Sequence, residues 1–233
     1  MSAILITGAA QGLGRSLALA LANTLNTPTD LVLLDKDQKA LNLLYDELIS
    51  LNSTQVEPAL YPMDLSGAEP RHFQQLAQAL HELGGVDSVW LNAAELPAFT
   101  PIAHFDEAQW LQLLQTNLTA NFYLMKALLP VLNDNADLIT ILDQQTGQNP
   151  AYYGAYGVAK AGLAQLMTTV AAEHSDQNWH FYQAWLPAFQ SNTRSRQFPS
   201  ENPATLPHHE QIANELMAAL QQTATPAWWV KLN

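Results

Sequence analysis

The chain has no cysteine among its 233 residues, which excludes disulfides and thiolate metal sites at the outset. Basic residues are scarce. Only 9 Lys and Arg face 21 Asp and Glu, and the formal net charge of −12 opposes attraction to phosphate backbones, so nucleic acid is not an expected partner. No apolar run approaches the length of a bilayer span, and the opening MSAILITG lacks a basic leader and a small-residue cleavage pattern. A cytoplasmic location without membrane contact is therefore expected. The histidines lack carboxylate partners at metal-ligand spacing, so no metal site is expected, and His208 and His209 read as surface or capping residues. With 48% apolar and 13% charged residues, the chain can instead build a sizeable core.

What is present is alternation of short apolar runs with longer segments of helical periodicity. AILITG (3–8) reads as a buried strand, and the segment after it repeats Leu13, Leu17, Leu21 and Leu25 on one helix face. LVLLD (31–35) is a second strand and ALNLLYDELISL a helix. VEPALYPMD, interrupted by prolines, suits a peripheral strand. FQQLAQALHEL then reads as a helix stopped by Gly84 and Gly85. VDSVWLNAA, DLITILD and HFYQAWLP supply three further strands, and Asp106 can cap a long helix running to about residue 132. Another helix is expected from about Tyr152 to His174, a last one near 208–222, and a terminal strand in AWWVKL. Residues 187–207 carry four prolines and little periodicity, and read as an irregular surface excursion. This pattern predicts one α/β domain over residues 1–233, a doubly wound parallel sheet of about seven strands with helices on both faces.

TGAAQGLG, residues 7–14, sits where the first strand meets the first helix. There Gly8 permits the turn, Gly12 leaves room for a pyrophosphate, and Gly14 allows close packing of helix on strand. The free N–H groups of the helix start favour the phosphates. Asp35 follows Gly14 by twenty-one residues at the end of the second strand, where a carboxylate accepts ribose hydroxyls and repels a 2′-phosphate. NAD(H) is accordingly expected over NADP(H). Asp64 is expected either to meet the adenine or to cap the next helix.

Together with Asn92, Asn117 and the Tyr156-Gly-Val-Ala-Lys160 pattern, this loop resembles the short-chain dehydrogenase/reductase family over essentially the whole chain. The resemblance implies a Rossmann-type fold and an oxidoreductase that moves a hydride between nicotinamide and a carbonyl or secondary alcohol. It implies Tyr156 as acid/base, Lys160 as its activator and ribose anchor, and Asn117 as support for a proton relay. Thr7, Gln11, Leu13, Leu65, Asn92, Ala93, Ala94, Pro187 and Thr193 would complete the cofactor lining, and residues 187–207 would form the substrate loop. A homodimer or homotetramer paired through the long helices would also follow.

The position of the family's catalytic serine is Asp143, thirteen residues before Tyr156. An ionised carboxylate there raises the tyrosine pKa and repels an oxyanion, whereas a protonated one donates a hydrogen bond. A third option turns Gln144, Gln145 or Thr146 into the site. Ala94 and Ala188 likewise stand where the family has glycine. These departures leave an alternative reading, a catalytically impaired NAD(H)-binding regulator or scaffold.

Overall fold

A computed structural model describes residues 2–51, 55–148, 150–222 and 229–231. Seven strands form one parallel sheet: β1 (Ser2–Thr7), β2 (Thr29–Asp35), β3 (Val56–Pro62), β4 (Val86–Leu91), β5 (Leu132–Asp143), β6 (His180–Leu186) and β7 (Trp229–Lys231). Their spatial order is β3-β2-β1-β4-β5-β6-β7. The proline-bearing β3 is an edge strand, where its missing N–H groups cost little. The terminal strand pairs in parallel with β6 through Gln183, Ala184 and Trp185. Trp228 and the remainder of the expected AWWVKL strand, Ala227 and Leu232, lie outside the described residues.

Helices α1 (Gly12–Thr24), α2 (Gln38–Ser50), α3 (Pro70–Glu82), α4 (Glu107–Leu114), α5 (Ala120–Leu128), α6 (Gly154–Glu173), α7 (Asn192–Gln197) and α8 (His209–Gln222) cover both faces. On one face Leu13, Leu17 and Leu21 of α1 pack with Leu41, Leu44 and Leu48 of α2 and Leu216 of α8. On the other, Phe73, Leu76 and Leu80 of α3 meet Leu124 of α5 and Leu163 of α6. Each fully buried leucine of this kind contributes roughly 1.5–3 kcal/mol relative to exposure. Met125 and Leu128 are buried at 2% and 0% exposure, which makes them core residues and not a dimer face.

Two segments differ from the sequence expectation. The long helix that Asp106 caps, by accepting from the Gln109 N–H at 2.8 Å, is not uniform. A π-helical turn over Gln115–Thr119 separates α4 from α5, and Asn117 lies in it. Such turns carry an extra residue per turn and commonly accompany functional sites. The excursion after β6 is also not irregular throughout. It contains α7, whose cap Ser191 accepts from the Arg194 N–H, at a spacing too short to show helical periodicity.

Between β1 and β4 the strand order reverses, because the chain winds outward to β3 and then returns to the other side of β1. At that point no crossover helix covers the carboxyl ends of the strands, and a crevice opens.

Candidate active site

The crevice is a cavity of about 460 Å³ lined by Gly8, Gln11, Gly12 and Leu13 at one end, and by Asp143, Tyr156 and Lys160 at the other. Asp35, Asp64, Leu65, Asn92, Ala93, Ala94, Pro187 and Thr193 also line it. Three other sequence-derived candidates stand behind this lining: Thr7, Gly14 and Asn117.

Thr7 is fully buried at the top of β1. Its hydroxyl donates to the Trp90 carbonyl at 3.2 Å and accepts from the N–H groups of Asn92 and Ala93 at 3.0 and 3.1 Å. The Asn92 amide returns bonds to the carbonyls of Thr7 and Gly8. These contacts stitch the glycine loop to the end of β4. A Cβ on Gly14 would lie 2.0 Å from the Gly8 carbonyl oxygen, whereas one on Gly12 would meet nothing within 4 Å. Gly14 therefore serves backbone packing, whereas the space beside Gly12 is open. The N-cap Gln11 forms no side-chain cap, so the first N–H groups of α1 remain available to an anion.

Asp35 spends its carboxylate on the chain itself. One oxygen accepts from the Ala10 N–H and the other from the Asp37 N–H, both at 3.0 Å. It braces the glycine loop against β2 and has reduced capacity for ribose hydroxyls. Beside it, Lys36 reaches from the end of β2 to Glu95, just past β4, with its side chain 54% exposed. The Asp64 carboxylate accepts from the N–H and hydroxyl of Ser66. Although burial alone would raise its pKa, these bonds and the Lys36 charge together hold it below the usual range.

At the chemical end, Tyr156 stands on the first turn of α6 with its hydroxyl 3.4 Å from Oδ2 of Asp143. Burial, and then the Asp143 charge, push the phenol well above its ordinary pKa. Lys160, one turn further, is 3% exposed and donates to the Ile141 carbonyl at 2.7 Å. Burial lowers its pKa to about 8 against the pull of Asp143. Asp143 itself is raised by burial, opposed by the Gln145 N–H and the charges of Lys160 and Arg194.

Of the neutral side chains that follow Asp143, two donate elsewhere and the third accepts a bond through its amide oxygen. Gln144 donates to the Trp185 carbonyl at 3.0 Å, Thr146 donates to the Asp143 carbonyl at 2.7 Å, and Gln145 accepts from the Tyr153 hydroxyl. The carboxylate is what faces Tyr156. Asn117 occupies a supporting place: its amide accepts from the Glu95 N–H and donates to the Glu95 carbonyl, which fixes the segment after β4.

Several lining residues belong to no motif legible in the sequence. Thr116 is buried with its hydroxyl unpartnered among the described residues. Arg194 enters the cavity from α7 while bonding Glu201 twice, at 2.6 and 2.8 Å. His208 and His209, expected as surface or capping residues, also line it; His208 is exposed with its carbonyl accepting from the Ile212 N–H, and His209 Nδ1 sits 2.7 Å from the Ser16 hydroxyl. The Ser191-x-x-Arg194 cap pattern was the one local clue to α7. Of the nearby aromatic residues, Tyr153 and Phe189 line the cavity, Phe198 packs on Phe99, and Tyr152 is exposed.

One cavity joins the uncapped start of α1 to a buried Tyr-Lys pair, and the family comparison agrees with an oxidoreductase. Residues 2–201 match the short chain dehydrogenase family, and the chain belongs to it. It is similar to the uncharacterized oxidoreductase YciK of Escherichia coli K12, at 29% identity over 75% of this chain and 68% of that protein. It also matches the short chain dehydrogenase pigC of Monascus ruber at 27% identity, spanning 73% of this chain and 57% of that protein. Among solved structures, a short chain dehydrogenase from Pseudomonas syringae superposes with a TM-score of 0.90 at 27% identity, over 99% of this chain and 94% of the other.

Two further structural neighbours correct the cofactor expectation. One, from Shigella flexneri 2a, is complexed with NADP (TM-score 0.84, 27% identity, 91% of this chain and 87% of the other). The second, from Escherichia coli CFT073, is complexed with NADPH (TM-score 0.85, 26% identity, 93% and 89%). These complexes overturn the expected NAD(H) preference. The inference from Asp35 failed because its oxygens are held by Ala10 and Asp37, while the adjacent position offers a cation. The regulatory alternative finds no support in these relatives. Among the described residues no helix is long and apolar enough to cross a membrane, and no cluster of metal-ligating side chains occurs.

Proposed function

We propose that this protein is an NADP(H)-dependent oxidoreductase that interconverts a carbonyl compound and a secondary alcohol. The observation that carries the reading is the single cavity joining the open N-terminus of α1 to Tyr156 and Lys160. The bound nicotinamide would supply the hydride. Gly12 and the α1 N–H groups would hold the pyrophosphate, Lys36 the 2′-phosphate, and Lys160 the nicotinamide ribose. Tyr156 would exchange a proton with the substrate oxygen. Burial, and then the Asp143 charge, raise the phenol pKa, so Tyr156 would meet the substrate as the neutral phenol, the form that can donate to a carbonyl oxygen. Asn117 would position the segment after β4, and the segment 187–207 with α7 would cover the substrate.

The test is NADPH oxidation with a panel of ketones and aldehydes. Turnover that falls by on the order of 100-fold or more in Tyr156→Phe supports the assignment. Unchanged turnover in that variant refutes it. We also propose a second copy of the chain as partner, through α4, α5 and α6, where Leu111, Phe122 and Val158 are 66%, 44% and 50% exposed. Light scattering that finds only monomer would remove this partner.

A further inference from the structure

Asp143 lines the cavity with one oxygen accepting from the Gln145 N–H at 2.8 Å and the other meeting, among the described residues, only the Tyr156 hydroxyl at 3.4 Å. The charges of Lys160 and Arg194 act on it through space, and each of these groups has a hydrogen bond elsewhere. Lys160 gives its ammonium to the Ile141 carbonyl, Arg194 is forked onto Glu201, and Tyr153 donates to Gln145. Among the described residues no cation lies within ion-pair distance of Asp143, and no salt bridge includes it. A largely buried carboxylate with an oxygen turned into a cavity is costly to leave unpaired. The missing partner is therefore sought in the ligand.

We infer that Asp143 is the binding site for a cationic nitrogen on the substrate, one carbon from the reacting carbonyl, so that the preferred substrates are α-amino ketones. This inference rests on the proposed reductase activity. In such a substrate the carbonyl oxygen and the ammonium are separated by one carbon–carbon bond and reach Tyr156 and Asp143 together. The ammonium turns the carboxylate from a group that repels developing negative charge on oxygen into half of a charge-assisted pair. Tyr153, whose ring lies 6.0 Å from that of Tyr156, adds an aromatic face beside the same point. In the reaction NADPH gives a hydride to the carbonyl carbon, the π pair moves to oxygen, and that oxygen takes the Tyr156 proton, which solvent replaces. Amino ketone, NADPH and a proton thus become amino alcohol and NADP⁺.

The test compares two ligands that differ only in ammonium against hydroxyl, 2-amino-1-phenylethanol and 1-phenyl-1,2-ethanediol, by calorimetric titration at pH 6.5. Titrations are run without cofactor and with saturating NADPH, where neither alcohol can be oxidised. The amine is expected to bind at least about 10-fold more tightly, equivalent to about 1.4 kcal/mol. In Asp143→Asn the ratio should fall to about one while NADPH affinity is kept, and Asp143→Ser provides a second uncharged variant. Equal affinity in the native protein, or a preference that survives both substitutions, overturns the inference. If NADPH fails to bind, the reductase reading falls, yet the amine preference in its absence still decides this one. The matched ketones, 2-aminoacetophenone and 2-hydroxyacetophenone, should show the same discrimination in their relative kcat/KM.

Discussion

Lys36 at the end of β2 and Glu95 just beyond β4 form an ion pair across the mouth of the crevice, above the strand that carries the glycine loop. Glu95 also accepts from Gln112 at 3.3 Å, and the backbone on either side of it is held by Asn117. The carboxylate is thus a fixed competitor for the cation that would meet a 2′-phosphate. Replacing Lys36 with Met should weaken NADPH binding by roughly 10- to 100-fold while changing NADH affinity little, in line with loss of one charge-assisted contact. Glu95→Gln should tighten NADPH binding. Fluorescence titration of the reduced cofactors reads both, and equal losses for NADPH and NADH in Lys36→Met would count against this role.

The Asp143 charge contributes to the raised pKa of Tyr156, after burial. Asp143→Asn removes that charge, so the phenol should release its proton at lower pH. In the alcohol-oxidising direction, where the tyrosine acts as base, the rising limb of the pH–kcat profile should move toward neutrality in the variant. A limb that stays in place would show that Asp143 does not act on Tyr156.

Gly14 and Gly12 should respond differently to the same methyl group. Gly14→Ala would drive a Cβ to 2.0 Å from backbone oxygen and 2.7 Å from the Asn92 amide, so the loop must shift. A stability loss of several kcal/mol with loss of NADPH binding is expected. Gly12→Ala meets open space but requires a φ of +54, a cost of about 1–2 kcal/mol. Its larger effect should be on cofactor affinity. Denaturant midpoints and NADPH titrations of the two variants separate these outcomes.

Lys160 links stability to pH. Its folded pKa of about 8 lies below the ordinary 10.5, so between those values the unfolded chain binds more protons and stability rises with pH. Below pH 8 both states are charged and the folded state bears the full cost of burying the ammonium. Lys160→Met lacks this dependence, so its stability relative to the native protein should decline across pH 8 to 10.5, by on the order of 3 kcal/mol. Loss of the bond to Ile141 adds an offset that does not vary with pH. Urea denaturation of both proteins at several pH values measures the difference, and parallel curves would contradict it.

The alternation of elements was legible because each signal is local. Leu13, Leu17 and Leu21 mark one helix face, the prolines of β3 mark an edge, and Gly8, Gly12 and Gly14 mark a turn into a helix. Such features fix secondary structure within a few neighbours, and parallel strands then require the crossovers that create the crevice. The placement of Tyr156 and Lys160 one helical turn apart was equally local.

The sequence by itself determined the doubly wound sheet, the glycine loop at the end of β1 and the pairing of Tyr156 with Lys160 on one helix. Only the tertiary structure decided which polar atoms remain free to act: Asp35 is spent on Ala10 and Asp37, Asn117 on Glu95, and Gln144 on Trp185. It also brought Arg194 and His209 to the cavity and left Asp143 facing Tyr156 with no cation at ion-pair distance among the described residues. The reason is that a hydrogen-bonding side chain chooses among partners far apart along the chain, as Ser16 and His209 are, and that choice exists only once the elements have packed.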